Sequence, residues 1–448
     1  MKKIEMKRMV RRVALLATVC GAAAGAGAQE RLMLSAAECR EMALAHNEDL
    51  QKADNAVRQA ELDKAVAFAG YLPKVDATAM GGYVSDMDMM GMELQMRGMY
   101  MAGINLVQPL YAGGKIMAGN RLARIGKEVA EENRRKTRMQ VIADADKAYW
   151  TYISVGRKVR MLDSYKAQMD TVFRQVEVAL SAGMGVENDL LRIKTKRSEI
   201  HYQYQKAKNG LNLCRLALCN VLGQPLDTEF VPLDTAIAVS APRKMDESIA
   251  ARPELALLEK QVEAGEQQVK VTRGDILPQI GLSAGYLYYG NIKLKGMNYD
   301  ANGTAIPFTQ KFDDGLGLVM ASVSIPLFHW GEGMKKVRKA KLDLENARLD
   351  LQKNRRLLSI EARQAVQNVT DGYRMVETAE LASRQADENL RVMQNRYQNA
   401  MCTLTDLLNA QSQWQQAQSN LIEAQTQYKI YETEYLKATG RLETDEQR

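Results

Sequence analysis

Apolar side chains recur every seven residues through the last long proline-free stretch of the chain. Leu407, Trp414, Leu421, Tyr428 and Tyr435 form one series; Ala410, Ala417, Ala424, Tyr431 and Ala438 form another, three places later. Alternating steps of three and four mark left-handed coiled-coil packing. An earlier stretch keeps the same seam through Leu190, Ile193, Ile200, Tyr204, Ala207, Leu211, Cys214, Leu218 and Val221, with Arg197 as its one break. A turn signal precedes each seam. ALSAGMGVENDLL spans 179–191 and RYQNAMCTLTDLLN spans 396–409, where Thr403 and Thr405 suit a helix N-cap. The two regions align at a fixed offset of 217. Asp189-Leu190-Leu191 falls on Asp406-Leu407-Leu408, Gly183 on Ala400, Gly114 on Gly331, and Leu222-Gly223 on Thr439-Gly440. The chain is an internal duplication, with two helical hairpins, each carrying a tip.

In chain order, Ser35 caps a short helix through about His46, and a second helix runs from about Glu48 to Phe68, stopped by Gly70-Tyr71-Leu72-Pro73. The period then changes to two. Val75, Ala77, Ala79 and Tyr83 alternate with Asp76, Thr78, Met80 and Gly82, and Tyr100, Ala102, Ile104 and Leu106 alternate with Met101, Gly103 and Asn105. These predict strands at about 75–84 and 99–107, closed by Gln108-Pro109-Leu110-Tyr111-Ala112-Gly113-Gly114. A long helix follows to about Ala182, roughly 100 Å at 1.5 Å per residue, and returns over about Asn188–Leu222, roughly 50 Å. The second repeat has a helix from Arg252-Pro253, ending at Ile276-Leu277-Pro278. Strands are predicted at about 279–289 and 316–325, then a long helix from about Gly333 to Asn399. Pro73 to Pro278 is an offset of 205 and Pro109 to Pro326 one of 217, so the second hairpin carries 12 extra residues, assigned to a polar loop around Asn291–Asp314. Residues 29–223 form the first repeat, 224–247 with three prolines a connector, and 248–448 the second repeat.

Composition agrees with long helices: 9 prolines in 448 residues, 6% aromatic, 26% charged. The formal +7 is misleading, because residues 1–28 carry +5 of it. The remaining +2 gives no basic domain for nucleic acid. Those 28 residues read as a secretory signal: a basic start, an apolar run from Val13 to about Ala24, and Ala26-Gly27-Ala28 before Gln29. Val19 before Cys20 is too large for a usual lipidation site. No later run is long and apolar enough for a transmembrane helix, so a membrane role falls to the strands. Each predicted strand is about the ten residues that cross a bilayer when tilted. Cys39, Cys214, Cys219 and Cys402 contain no C-x-x-C pair; Cys214 occupies a seam position, and a bridge from Cys39 stays open.

Four strands cannot close a barrel, and an open edge in lipid is costly. The chain must therefore oligomerise. Two copies give eight strands and a filled barrel; three give twelve and leave a passage.

On the duplication, the helix ends at Gly70–Pro73 and Ile276–Pro278, the strand exits Gln108–Gly114 and Ile325–Gly331, and the tips, the mature sequence resembles the TolC family of outer-membrane efflux channels. The resemblance implies a mainly α fold with a small β portion. Long coiled-coil hairpins form a periplasmic tunnel, and four strands per protomer join a 12-stranded barrel in a homotrimer. It implies a passive exit duct in the outer membrane of a Gram-negative bacterium, with most of the chain in the periplasm. Its partners would be a periplasmic adaptor protein and an inner-membrane transporter, in a tripartite pump or a type I secretion system; no cofactor is implied. The family's tunnel closes at its periplasmic tip. Asp406 aligns with the first ring aspartate and Asn409 with the second, leaving that ring uncharged here. Asp189 and Tyr397 match an inter-hairpin link. Cys402 stands where the family has a tip arginine. The adaptor-docking positions are Ala182, Gly183 and Met184 on one tip and Asn399, Ala400 and Met401 on the other.

Other readings exist for the same residues. Asp406 and Asp189 also suit the first turn of a helix, and Tyr397 suits seam packing. Met87, Met89, Met90, Met92, Met96, Met99 and Met101 offer thioethers to a soft metal, or an adaptable loop surface, which is the commoner use. For an enzyme, the three histidines His46, His201 and His329 form no H-E-x-x-H, there is no G-x-S-x-G, and Gly119 to Gly126-Lys127-Glu128 lacks P-loop spacing and its Ser/Thr. A secreted periplasmic coiled-coil structural protein without a pore has no use for four alternating strands.

Overall fold

The computed structural model describes residues 31–89, 92–234, 237–242, 245–299 and 304–442. The expected signal segment 1–28, Cys20 and Met90 lie outside the described residues.

The order is β1 (Arg31–Leu34), α1 (Ala36–His46), α2 (Glu48–Ala69), β2 (Lys74–Met89), β3 (Met92–Ala112), α3 (Lys115–Ser181) and α4 (Glu187–Leu222). Then come β4 (Glu229–Pro232), α5 (Pro253–Gly274), β5 (Gln279–Tyr299), β6 (Ala305–Ser324), α6 (Glu332–Gln398) and α7 (Leu404–Ala438). The duplication is exact in helix length where it matters: α3 and α6 have 67 residues each, α2 and α5 have 22. The fold is mainly α with a small four-stranded sheet. It divides into two compact units, to both of which α3 and α6 contribute.

One unit comprises the chain through Asn47, Val141–Arg243 and Asn368–Thr433. Its first core gathers Leu34, Cys39, Ala43, Tyr149, Ile153, Leu218, Leu222 and Phe230. Ser35 caps α1 through a capping box with Glu38. A feature absent from the sequence reading sits here: β1 and β4 pair in parallel, Arg31 opposite Glu229, so the connector contains a strand. The buried Tyr149 hydroxyl lies 2.9 Å from the Leu34 carbonyl oxygen and 2.8 Å from Asp234 Oδ2, tying β1 to the connector. Cys39 packs in this core, where burial first and the Asp146 charge second push its thiol up to about 12, so it is unreactive. The four cysteines among the described residues are free thiols. The second core joins Tyr165, Met169 and Val176 of α3, Ile193 and Ile200 of α4, Leu390 of α6, and Leu404, Leu407 and Ala410 of α7. Four helices thus share one seam. Arg197, the break in that seam, pairs with Asp170 at 2.6 Å and stacks over the Phe173 ring.

The other unit comprises Glu48–Gln140, Lys244–Gln367 and the segment from Glu434. Here α2 lines the first part of α3, where Lys127 pairs with Glu61 at 2.9 Å and Asn120 donates to the Ala67 carbonyl at 2.8 Å. The four strands form one antiparallel sheet in the order β2-β3-β5-β6. They are longer than the ten residues expected, at 16, 21, 21 and 20. The reason is the bulges. Register shifts between Gly82 and Val84, Gln95 and Tyr100, and Tyr289 and Ile292 break the alternation, so a period-two pattern stops there while pairing continues. The expected polar loop at Asn291–Asp314 is mostly strand for the same reason; the inserted residues lengthen the hairpin. One face of the sheet is apolar and exposed, with Val75, Ile104, Tyr286, Val319 and Val323 all above half exposure. The opposite face is mixed, with Asp76, Asn105, Ser283 and Ser322 beside Met80, Met101, Leu287, Leu316, Leu318 and Met320.

Candidate functional site

The site is the pair of tips between the long helices and their returning partners, all within one unit. Each long helix ends in the same way. Met184 N–H donates to the Ala179 carbonyl and Gly183 N–H to Leu180; Met401 N–H donates to Arg396 and Ala400 N–H to Tyr397. This is the Schellman pattern, and it needs a left-handed residue at the end of the helix. Gly183 takes it at φ 75°, and Ala400 takes it at φ 55° despite its Cβ. Ala182, Gly183, Met184, Asn399, Ala400 and Met401 are all exposed, and Met184 is 82% accessible.

The gate candidates divide into two groups. Asp406 and Asn409 lie on the exposed face of α7, while Leu404, Leu407 and Ala410 between them are buried. Asp406 also closes a capping box. Its Oδ2 accepts from Thr403 N–H at 3.0 Å and Thr403 Oγ1 at 2.6 Å, and its own N–H donates to Thr403 Oγ1 at 3.2 Å. The Thr403 side chain, then its N–H, hold the Asp406 carboxyl below the usual aspartate range. Thr403, one of two N-cap candidates in the sequence, is therefore the cap.

Asp189 lies within electrostatic reach of Tyr397. Tyr397 is half-buried in the four-helix seam, and its hydroxyl is pushed up by burial first and by the Asp189 carboxylate second. Cys402, where the resemblance expects an arginine, donates its thiol to the Met393 carbonyl at 3.6 Å. A link the sequence did not reveal crosses the tips instead: Arg192 Nη1 donates to Thr405 Oγ1 at 2.5 Å. The only signal for it was a cation one turn after Asp189. The site's chemistry is a set of charges and hydrogen bonds that tie two hairpins together.

Away from the tips, Met80 stands opposite Met101 across the β2–β3 hairpin and Gly82 opposite Met99, while Met87 faces Leu94 beyond the bulge.

The comparisons with known proteins follow this architecture. The family model described as "Outer membrane efflux protein" matches residues 39–224 and 245–441. The outer membrane efflux protein BepC of Brucella suis biovar 1 (strain 1330) is 23% identical over 351 residues, 77% of this chain and 73% of the relative. Among solved structures, CusC superposes with a TM-score of 0.76 at 15% identity, covering 94% of this chain and 95% of that one. The open state of the MtrE outer membrane channel of Neisseria gonorrhoeae gives 0.75 at 18% identity, covering 91% and 89%.

Proposed function

The chain belongs to the outer membrane efflux protein family, and on that premise we propose that three copies assemble an exit duct across the outer membrane. The observation that carries this is the four-stranded sheet. It has one wholly apolar exposed face and, among the described residues, two unpaired edges, β2 and β6, and β3 and β6 each lead through a short exit into a 67-residue helix. A wholly apolar face backed by one that mixes polar and apolar residues suits lipid outside and a passage inside, and unpaired edges demand a neighbour. Twelve strands leave an aqueous passage. In this reading residues 1–28 are a cleaved secretory signal, 29–223 and 248–448 are the two repeats, and most of the chain lies in the periplasm. Conduction is passive, without catalysis or cofactor. The energy comes from an inner-membrane transporter reached through a periplasmic adaptor. A pore-less coiled-coil protein leaves the apolar sheet face without a purpose.

The protein is expected to require detergent for extraction, to run as a trimer, and to raise discrete conductance steps in planar bilayers. A monomer that stays soluble without detergent is the contrary result.

The tips are the proposed adaptor seat. Their small exposed residues permit close approach of helix ends. Ala400→Trp and Gly183→Trp are each expected to abolish efflux and adaptor crosslinking while the assembled channel persists. Ala400→Trp is the cleaner arm, because that position already carries a Cβ at positive φ. Normal efflux and normal crosslinking in both variants would place the adaptor elsewhere.

A further inference from the structure

We propose that the second hairpin carries a binding site for a phosphorylated lipid headgroup of the outer leaflet, formed by Lys293, Lys295 and Lys311 just past the apolar band of the sheet. This rests on the membrane-channel reading above and adds to it a ligand and the residues that hold it.

The band can be measured from the register. Directly opposed residues share a face, so Ile104 with Tyr286, Ala102 with Tyr288, and Ala284 with Val319 lie on the apolar side. On β5 that side runs over 280–288. The length is close to the roughly 9–11 residues with which a tilted strand crosses hydrocarbon. Tyrosines close the band at the hairpin end. The Tyr100 and Tyr288 rings lie 6.2 Å apart. The Tyr100 hydroxyl covers Gly290, and the Tyr286 hydroxyl covers Gly315. Tyrosine suits the level where one end of the ring is apolar and the other wet. This end of the sheet is opposite the exits to α3 and α6, so in the channel reading it is the outer boundary.

The same face turns basic immediately beyond. The bulge between Tyr289 and Ile292 adds its residue to β5, so β6 keeps its alternation. Lys311 therefore shares the face of Asp313, Gly315 and Val319. Lys293 stands directly opposite Lys311, and Lys295 follows on the same face two residues later. Lys311 is exposed, and Lys293 and Lys295 are half-buried.

Like charges directly opposite one another destabilise a strand pair. Among the described residues, none of the three lysines forms an ion pair or a hydrogen bond. The first hairpin treats its cation differently: Arg97 Nε donates to Asp86 Oδ1 at 2.8 Å. The acids beside the lysines already hold other donors. Glu93, opposite Lys295, accepts from Gln95 Nε2 at 2.9 Å, and Asp313 Oδ1 accepts from Asn291 N–H at 2.5 Å. Nor does a hairpin of this kind need cations at these places. By the repeat offsets of 205 and 217, positions 293 and 311 correspond to Asp88 and Leu94.

Three ammonium groups, two of them facing across one strand pair, suit phosphate oxygens. A sugar headgroup with two phosphates sets one between Lys293 and Lys311 and the other at Lys295. Its acyl chains then lie along Tyr286, Val319 and Ile104. The ligand is a lipid because the site is continuous with the apolar band, so headgroup and chains are held by one surface.

Native mass spectrometry of the detergent-solubilised oligomer with added diphosphorylated lipid A tests the site. The parent is expected to retain the lipid. The triple variant Lys293→Gln, Lys295→Gln, Lys311→Gln is expected to bind it about tenfold or more weakly, from the loss of three cations at the membrane surface. Arginine at the same three positions should preserve binding. Lys206→Gln, Lys208→Gln and Lys353→Gln together remove the same charge from exposed positions of α4 and α6 and should leave binding unchanged. Lipid A stripped of both phosphates should bind the parent and the glutamine variant alike. Equal binding of the diphosphorylated lipid to parent and glutamine variant overturns the site. Displacement by inorganic phosphate at equal concentration also overturns it, because the site would then hold any anion. Either result, with the oligomer intact, leaves the channel reading standing. A monomer soluble without detergent overturns both.

Discussion

Asp146→Ala is expected to destabilise the protein by about 3 kcal/mol or more, the lower part of the range for breaking a buried ion pair. Asp146 is 1% exposed. Its two oxygens receive the Arg40 guanidinium in a fork, Nε at 2.6 Å and Nη2 at 2.7 Å, and Oδ2 also accepts from Thr433 Oγ1 at 2.6 Å. One carboxylate therefore joins α1, α3 and α7. Removing it leaves a guanidinium with little water and a buried hydroxyl without its short acceptor. The Arg40 side chain is 27% exposed, so solvent recovers part of the loss, which is why the lower part of the range applies. About 3 kcal/mol is more than a hundredfold in the folded-to-unfolded ratio. Urea unfolding in detergent, followed by far-UV circular dichroism, measures it. Asp146→Asn keeps an acceptor of the same shape and should lose less. Equal stability of Asp146→Ala and the parent would mean that the fork adds nothing beyond its own desolvation cost.

The duplicated architecture was legible because it rests on periodicities that tertiary structure did not override. The 3-4 seam of α7, the Pro73 and Pro278 stops and the glycines at 183, 223 and 440 each state a local rule, and the backbone obeys it. Features built from few residues at long range were not legible. β1 and β4 are four residues each, about two hundred positions apart, and RLML and EFVP show no alternation long enough to count. Strand length was misread where bulges reverse the alternation. The break at Arg197 was visible, but its reason was not, because Asp170 and Phe173 lie on another helix.

The site was half legible. Asp189 and Tyr397 came from a resemblance, and what the fold shows of the pair is that the Asp189 charge acts on the Tyr397 hydroxyl. The link from Arg192 to Thr405 joins residues 213 positions apart and follows from no local pattern. Asp406 carries two readings, ring charge and helix cap, and the capping box with Thr403 means that a substitution can disturb both.

Asp406→Asn separates these readings. In the proposed trimer three Asp406 carboxylates face one axis at the periplasmic mouth, where a narrow passage focuses their negative potential. Asparagine keeps an oxygen that can accept from Thr403, so the start of α7 survives while the charge is lost. Cation selectivity should then fall, and block by multivalent cations should weaken roughly tenfold, the low end of what focused potentials contribute. The trimer should remain intact. Asn409, one turn further along the same exposed face, offers hydrogen bonds without charge, so Asn409→Asp should strengthen the block. The pH dependence has a definite sign. Thr403 holds the Asp406 carboxyl below its usual value of 3.8. The carboxylate therefore stays charged as pH falls to that value, and its contribution to the helix start is lost only as pH drops through the lowered pKa. Single-channel recording in planar bilayers reads all three effects. If Asp406→Asn leaves selectivity and block unchanged, Asp406 is a capping residue alone and the constriction is formed by other groups.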